Sequence, residues 1–158
     1  MKRDREPIAQ GVAVHYQPQR HLLKDRIILV TGASDGIGRE AALTYARYSA
    51  SVILLGRNDD KLRTVAQEIE REGGIPPRWF TLDLLTCTPQ ACQQLAQQIS
   101  MHYPRLDGVL HNAGLLGDIC PMEEQKPEVW QQVMQVNVNG TFMLTQALLP
   151  LLLRSESG

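Results

Sequence analysis

Apolar residues in this chain come in short unbroken runs, separated by longer stretches in which they return every three or four positions. Arg26-Ile27-Ile28-Leu29-Val30-Thr31 is the first run, almost continuously apolar and β-branched, as a parallel strand covered on both faces must be. Ile37, Ala41 and Tyr45, with Ala42 and Ala46 beside them, then recur at helical spacing and predict a helix with one apolar face. Ser51-Val52-Ile53-Leu54-Leu55-Gly56 predicts a second buried strand, and Asn58 an N-cap for a charged helix from Asp59 to Glu72. Asp59 and Asp60 complement the dipole of that helix, Gly73-Gly74 stops it and Pro76-Pro77 prevents its return. A third strand is expected at Arg78–Asp83. Thr88-Pro89 reads as a cap and first turn of a helix running through Leu95 and Ile99 towards Tyr103, and a fourth strand is expected at Leu106–Asn112. The last segment places Trp130, Val133, Met134, Asn137, Thr141, Leu144, Leu148 and Leu152 on one helix, with enough further apolar residues from Phe142 onward to predict burial on more than one side.

Strand and helix alternate, with crossovers long enough for right-handed βαβ units. The expected fold is therefore α/β, a Rossmann-type doubly wound parallel sheet, ending after the helix that follows strand four. Residues 26–158 read as that domain. Residues 1–25 are mixed in charge, contain Pro7 and Pro18, show no sustained period and read as a flexible lead-in.

Between the first strand and first helix stands Thr31-Gly32-Ala33-Ser34-Asp35-Gly36-Ile37-Gly38. Three glycines at a strand-to-helix turn permit unusual dihedrals and let an anion approach the free N–H groups and positive dipole end of the helix. That is the physics of a dinucleotide pyrophosphate site, although the spacing is G-x-x-x-G-x-G and not the commoner G-x-G-x-x-G.

Composition narrows the remaining classes. The 158 residues are 43% hydrophobic and 21% charged, which suits one soluble domain with a real core. A net charge of -1 and a pI near 6.4 give no basic surface for nucleic acid or anionic membrane. Asn137, Asn139, Gln146 and Pro150 interrupt the final apolar stretch, so no membrane span is expected. Cys87, Cys92 and Cys120 are odd in number and lack a second ligand pair, which argues against a disulfide framework or a metal and for a reducing cytoplasm.

Four motifs in register carry a family resemblance: Thr31-Gly32-x-x-x-Gly36-Ile37-Gly38, then Asp83-Leu84, then His111-Asn112-Ala113-Gly114, then Asn137 within Val136-Asn137-Val138-Asn139-Gly140. In order and spacing the chain resembles the short-chain dehydrogenase/reductase family from about Leu22 to its last residue. The resemblance implies binding of NAD(H) or NADP(H) and hydride transfer between the nicotinamide and a carbonyl or alcohol. It implies that Asp83 accepts from the adenine amine with the backbone of Leu84 helping. It also implies that Asn112, Ala113 and Gly114 let the backbone pass close to the cofactor, and that the carbonyl of Asn137 holds a water of the proton relay. His111 departs from the usual Asn and is read as a structural donor. In the family the final helix also packs against its counterpart in a dimer, so a homo-oligomer is expected.

The end of the second strand decides between the two cofactors. A carboxylate there would bind the ribose hydroxyls of NAD and repel a 2′-phosphate, but Gly56 holds that place and Arg57 follows. With Ser34 as a further donor and only Asp35 opposing, NADP(H) is expected in preference to NAD(H).

In family members the catalytic Ser and the Tyr-x-x-x-Lys lie further along than this sequence reaches. Tyr16, Tyr45, Tyr48 and Tyr103 are not followed by Lys at that spacing, and Ser155 and Ser157 lie in a tail. The chain thus reads as the cofactor-binding part of a reductase, inactive by itself. The alternative is a non-catalytic NADP(H)-binding module or an inert fragment. Cys120-Pro121-Met122 is expected to border a substrate pocket of unspecified chemistry.

Overall fold

The computed structural model describes residues 18–156. Most of the predicted lead-in therefore lies outside the described residues. Its last part forms tight turns, in which Leu23 donates its N–H to the Tyr48 carbonyl at 3.0 Å and His21 Nδ1 lies 2.8 Å from Ser49 Oγ.

Strands β1 (Ile27–Thr31), β2 (Ser51–Gly56), β3 (Arg78–Thr81) and β4 (Gly108–Leu110) form one parallel sheet in the order β3-β2-β1-β4. Register runs Ile27↔Ser51 to Thr31↔Leu55, Ile28↔Gly108 to Val30↔Leu110, and Ile53↔Arg78 to Gly56↔Thr81. β3 and β4 are shorter than the expected Arg78–Asp83 and Leu106–Asn112, although single main-chain bonds reach the neighbouring strands just beyond them, from Leu82 to Gly56 at 2.9 Å and from Asp107 to Ile27 at 2.8 Å. Asp107 also accepts the Ile27 N–H through its carboxylate at 2.9 Å.

Helices α1 (Gly36–Arg47) and α2 (Asp59–Arg71) cover one face of the sheet, and α3 (Pro89–Ser100) and α5 (Thr141–Leu152) the other. Successive strand side chains point to opposite faces, so Ile27, Leu29, Ile53 and Leu55 join Leu95, Ile99, Leu144 and Leu148 in one core, while Val30, Val52 and Leu54 join Ala42, Leu43, Leu62, Val65 and Ile69 in the other. Two covered faces require unbroken apolar strands, and that is why the alternation was absent from β1 and β2. The caps stand as expected: Asn58 Oδ1 accepts from Lys61 N–H at 3.0 Å, and Thr88 Oγ1 from Ala91 N–H at 3.2 Å.

Two expectations are corrected. Ile37 does not belong to the buried face of α1; it is 81% exposed, and the buried stripe is Gly38, Ala42, Leu43 and Ala46. The helix begins at Gly36, so Ile37 lies in its first turn, above the end of the sheet. The final helix is likewise neither continuous nor buried on several sides. It divides into α4 (Pro127–Met134), a π-helical segment (Gln135–Gly140) and α5, with Gly140, Leu144, Leu148 and Leu151 as its buried residues. Burying each of the three leucines is worth about 1.5 to 3 kcal/mol. Trp130, Phe142, Leu149 and Leu153 face outward. No helix among the described residues is long and apolar enough to cross a membrane.

Candidate functional site

In the order β3-β2-β1-β4 the chain runs outward from β1 through β2 to β3 and then crosses back to place β4 on the other side of β1. An open α/β sheet has its ligand crevice at such a reversal, outside the carboxyl ends of the strands. A cleft of about 480 Å³ lies there, walled by Thr31, Gly32 and Ser34 after β1, Gly56 and Arg57 after β2, Asp83 and Leu84 after β3, and Asn112, Ala113 and Gly114 after β4. Residues more than eighty positions apart thus meet because the four strands end side by side.

The hydroxyl of Thr31, 1% exposed, fastens two of these walls together. It donates to the Leu110 carbonyl at 3.3 Å and accepts from the N–H groups of Asn112 and Ala113, each at 3.0 Å. Asn112 Nδ2 returns bonds to the carbonyls of Thr31 (3.2 Å) and Gly32 (3.4 Å). The loop after β4 is thereby held against the glycine turn.

The glycines divide by what surrounds them. A Cβ on Gly38 would fall 2.3 Å from the Gly32 carbonyl oxygen and 2.4 Å from Asn112 Nδ2, so Gly38 lets α1 press against the turn. Gly36 has φ +53 and nothing within 4 Å of where a Cβ would be, so the space above it is open. Asp35 caps α1 by accepting the Gly36 N–H at 2.9 Å, while among the described residues the N–H groups of Ile37 and Gly38 meet no acceptor. An open space over free donors at a helix N-terminus is a cradle for a diphosphate. By that test the residues present fit a dinucleotide.

Asp35 itself faces Lys61 on α2, whose Nζ donates to its Oδ2 at 2.8 Å. That hydrogen bond, followed by the one from Gly36, holds the Asp35 carboxyl below the usual carboxylate range. After β2, Arg57 is exposed, lines the cleft, and among the described residues pairs with no carboxylate. Asp83, which lines the cleft, accepts the Leu85 N–H through Oδ1 at 3.0 Å in an Asx turn.

On the far wall, Asn137 in the π-helical segment bonds both main-chain groups of Leu115, and Gly114 lies beside it. Gln135 Nε2 donates to the Leu84 carbonyl at 3.2 Å, while a Cβ on Gly140 would crowd Leu84 at 3.0 Å. This wide segment thus touches the walls after both β3 and β4.

His111 lies 2.9 Å from Thr145 Oγ1 through its Nε2. The Thr145 hydroxyl donates its one proton to the Thr141 carbonyl at 2.7 Å, so it accepts from His111, whose proton sits on Nε2. Desolvation of the ring lowers the His111 pKa and favours this neutral form. Burial, with Cys87 adjacent, pushes the Cys92 thiol up to about 11, so it is no ready nucleophile. Among the described residues no group of His, Cys, Asp and Glu could hold a metal.

The sequence reading missed Leu115, Gln132 and Val136 on the cleft wall. Gln132 and Val136 are four residues apart on one helix face, a signal available only once the direction of that face is known. Lys61 was also missed, since nothing local to α2 reports its partner on α1.

The model of short chain dehydrogenases matches residues 26–158. The chain is 75% identical over 145 residues to the uncharacterized oxidoreductase YciK of Escherichia coli K12, an alignment spanning 92% of this chain and 58% of YciK. It superposes with TM-score 0.88 and 75% identity on a short chain dehydrogenase from Escherichia coli CFT073 complexed with NADPH, covering 89% of this chain and 59% of that one. A Shigella flexneri 2a short chain dehydrogenase complexed with NADP gives TM-score 0.87 and 74% identity, covering 89% and 59%. The chain therefore spans a little under three fifths of the length of each of these three relatives. A Rossmann-like parallel sheet, a glycine cradle at its switch point and this agreement over residues 26–158 place the chain in the short chain dehydrogenase family, whose members are oxidoreductases that use nicotinamide cofactors.

Proposed function

We propose that this chain is the nucleotide-binding part of an NADP(H)-dependent oxidoreductase that moves hydride between the nicotinamide and a carbonyl or alcohol. The observation that carries the cofactor preference is the end of β2, where Gly56 leaves no side chain and Arg57, without a carboxylate partner among the described residues, lines the cleft. A 2′-phosphate there meets a fork of donors, with the Ser34 hydroxyl beside Gly56, 3.6 Å from where a Cβ would stand. The acids nearest in sequence are engaged elsewhere: Asp59 accepts from Arg63 at 2.7 Å and from Trp79 Nε1 at 2.9 Å. The NADP and NADPH complexes of the two relatives support the same reading.

Within the proposal, Gly32, Gly36, Ile37 and Gly38 take the diphosphate through main-chain donors, and Asp35 keeps α1 capped. Asp83 and the backbone of Leu84 take the adenine. Asn112, Ala113 and Gly114 form the floor along which the nicotinamide half lies, and Asn137 holds the adjoining loop. When bound, the dinucleotide supplies the hydride; these residues orient it and exclude water. A soluble homo-oligomer of the cytoplasm is the accompanying proposal.

Titration of NADPH and NADH into the chain tests the cofactor reading. A charge-assisted contact from Arg57 is worth about 1.5 to 3 kcal/mol, so NADPH is expected to bind roughly ten- to a hundred-fold tighter, with the difference lost in Arg57→Ala. Equal affinities would overturn it.

One observation favours a second, narrower reading for the polypeptide as given. No tyrosine in it is followed four residues later by lysine, the pair by which the family protonates the developing alkoxide. We propose that the chain binds nucleotide without turnover. Carbonyl reduction with NADPH that survives repurification would overturn this, and His111 would be the first residue to test.

A further inference from the structure

Three ion pairs bridge α1 and its neighbour α2 along their length: Asp35 with Lys61 at the cleft end, Arg39 with Glu68 further down, and Arg47 with Glu72 at the far end. The first differs from the others in its position. Asp35 follows Ser34, a wall of the cleft, and its carboxylate is the acidic charge of the glycine turn. Lys61 stands four residues after Arg57, and its N–H is held by the cap Asn58, which with Arg57, Leu82 and Asp83 lines a pocket adjoining the cleft. Asp59 and Asp60 are both paired with Arg63. Arg39, the other cation beside Asp35, is engaged by Glu68. With Lys61 in place the Asp35 carboxylate is compensated, and Arg57 and Asp83 are the charged residues that line the cleft.

Resting on the NADP(H) reading above, we infer that Lys61 is a specificity-determining residue that acts through Asp35, cancelling the carboxylate of the glycine turn so that it does not repel the 2′-phosphate. The pair is exposed, with side-chain accessibilities of 56% and 74%, so it contributes little to folding. Its effect is on a second charge brought close to it. A 2′-phosphate held by Arg57 carries close to two negative charges, and removal of Lys61 would set an uncompensated carboxylate near it. NADH has no such group, and the same removal leaves its binding unaffected.

The test is a cycle of Lys61→Met, Asp35→Asn and the double variant, with dissociation constants for NADPH and NADH measured on the chain at low and raised salt. Met keeps the length and helix preference of Lys, and Asn caps a helix as well as Asp, so α1 and α2 keep their ends. Lys61→Met is expected to weaken NADPH about three- to ten-fold at low salt, less at raised salt, and to change NADH less than two-fold. The double variant is expected to recover affinity for NADPH to within about two-fold of the parent. Equal weakening of both cofactors by Lys61→Met would overturn the inference. So would a double variant no better than Lys61→Met, since Lys61 would then act on the phosphate directly. Absence of any NADPH preference in the parent chain would instead overturn the reading on which the inference rests, and Arg57→Ala distinguishes the two failures.

Discussion

Asn137 and Leu115 are joined twice: Asn137 Oδ1 accepts the Leu115 N–H at 2.8 Å, and Asn137 Nδ2 donates to the Leu115 carbonyl at 2.9 Å. One amide thus replaces a main-chain partner for the loop that leaves β4, as a neighbouring strand would, and it does so from a π-helical segment that turns it towards the cleft. Asn137→Ala leaves both groups of Leu115 without it and is expected to cost about 1 to 2 kcal/mol. Asn137→Asp keeps the acceptor but sets a carboxylate against a carbonyl, and is expected to lie between. Denaturant unfolding gives the stabilities. Limited proteolysis should show faster cleavage between residues 115 and 126 in both variants, and unchanged cleavage there would mean that the clamp does not order the loop.

The two glycines of the cradle are expected to fail differently. Gly38→Ala forces a methyl against the Gly32 carbonyl and Asn112, so the turn must open, with a loss of about 1 to 3 kcal/mol and of nucleotide binding. Gly36→Ala meets no atom and carries only the strain of a positive φ, about 1 to 2 kcal/mol, yet its methyl occupies the space assigned to the diphosphate. Thermal unfolding beside NADPH titration separates the two. If Gly36→Ala binds NADPH as the parent does, the diphosphate does not lie there.

Asp107 ties the amino ends of β1 and β4 to the end of the chain. Its carboxylate, 2% exposed, takes the Ile27 N–H, Arg105 at 3.0 Å and the Ser155 hydroxyl at 2.7 Å, with Arg26 at 3.7 Å. Burial alone would raise its pKa; the bonds from Ser155, Ile27 and Arg105 more than offset it and leave the carboxyl below its usual range. A folded pKa below the unfolded one gives stability that is present above about pH 4 and lost as pH falls through the folded value. Asp107→Asn is therefore expected to cost about 3 kcal/mol at pH 7, and the gap to the parent to narrow below about pH 4. Urea midpoints across pH 3 to 7 measure it, and a gap independent of pH would show that the charge is not what matters.

Trp130 (56% exposed), Phe142 (63%), Leu149 (45%) and Leu153 (75%) lie on the outward side of α4 and α5, and β4 is an edge of the described sheet. Unpaired strand edges and apolar surface of this kind draw other chains. The chain is expected to self-associate, and Phe142→Gln with Leu149→Lys to shift it towards monomer. Light scattering at matched concentrations checks this; a monodisperse parent would show that the face is solvated without penalty.

Much of this architecture was legible in the sequence because its signals are local. The apolar runs of β1 and β2, the caps Asn58 and Thr88, and the glycine spacing each report on the few residues around them, and backbone geometry permits few alternatives there. The sequence also determined that Arg57, and no carboxylate, follows β2. What only the tertiary structure decided is how side chains from different elements meet. Ile37 has the spacing of a core residue, but α1 starts at Gly36 and carries it beyond the sheet. The final apolar stretch reads as one deeply buried helix, yet a π-helical segment rotates Asn137 and Gln135 onto two loops, and only one side of α5 reaches the core. Lys61 and Asp35 are 26 positions apart, and no periodicity within either helix reports a charge carried by the other. Their meeting depends on the packing angle of α1 against α2, a property of the folded layers and not of either segment.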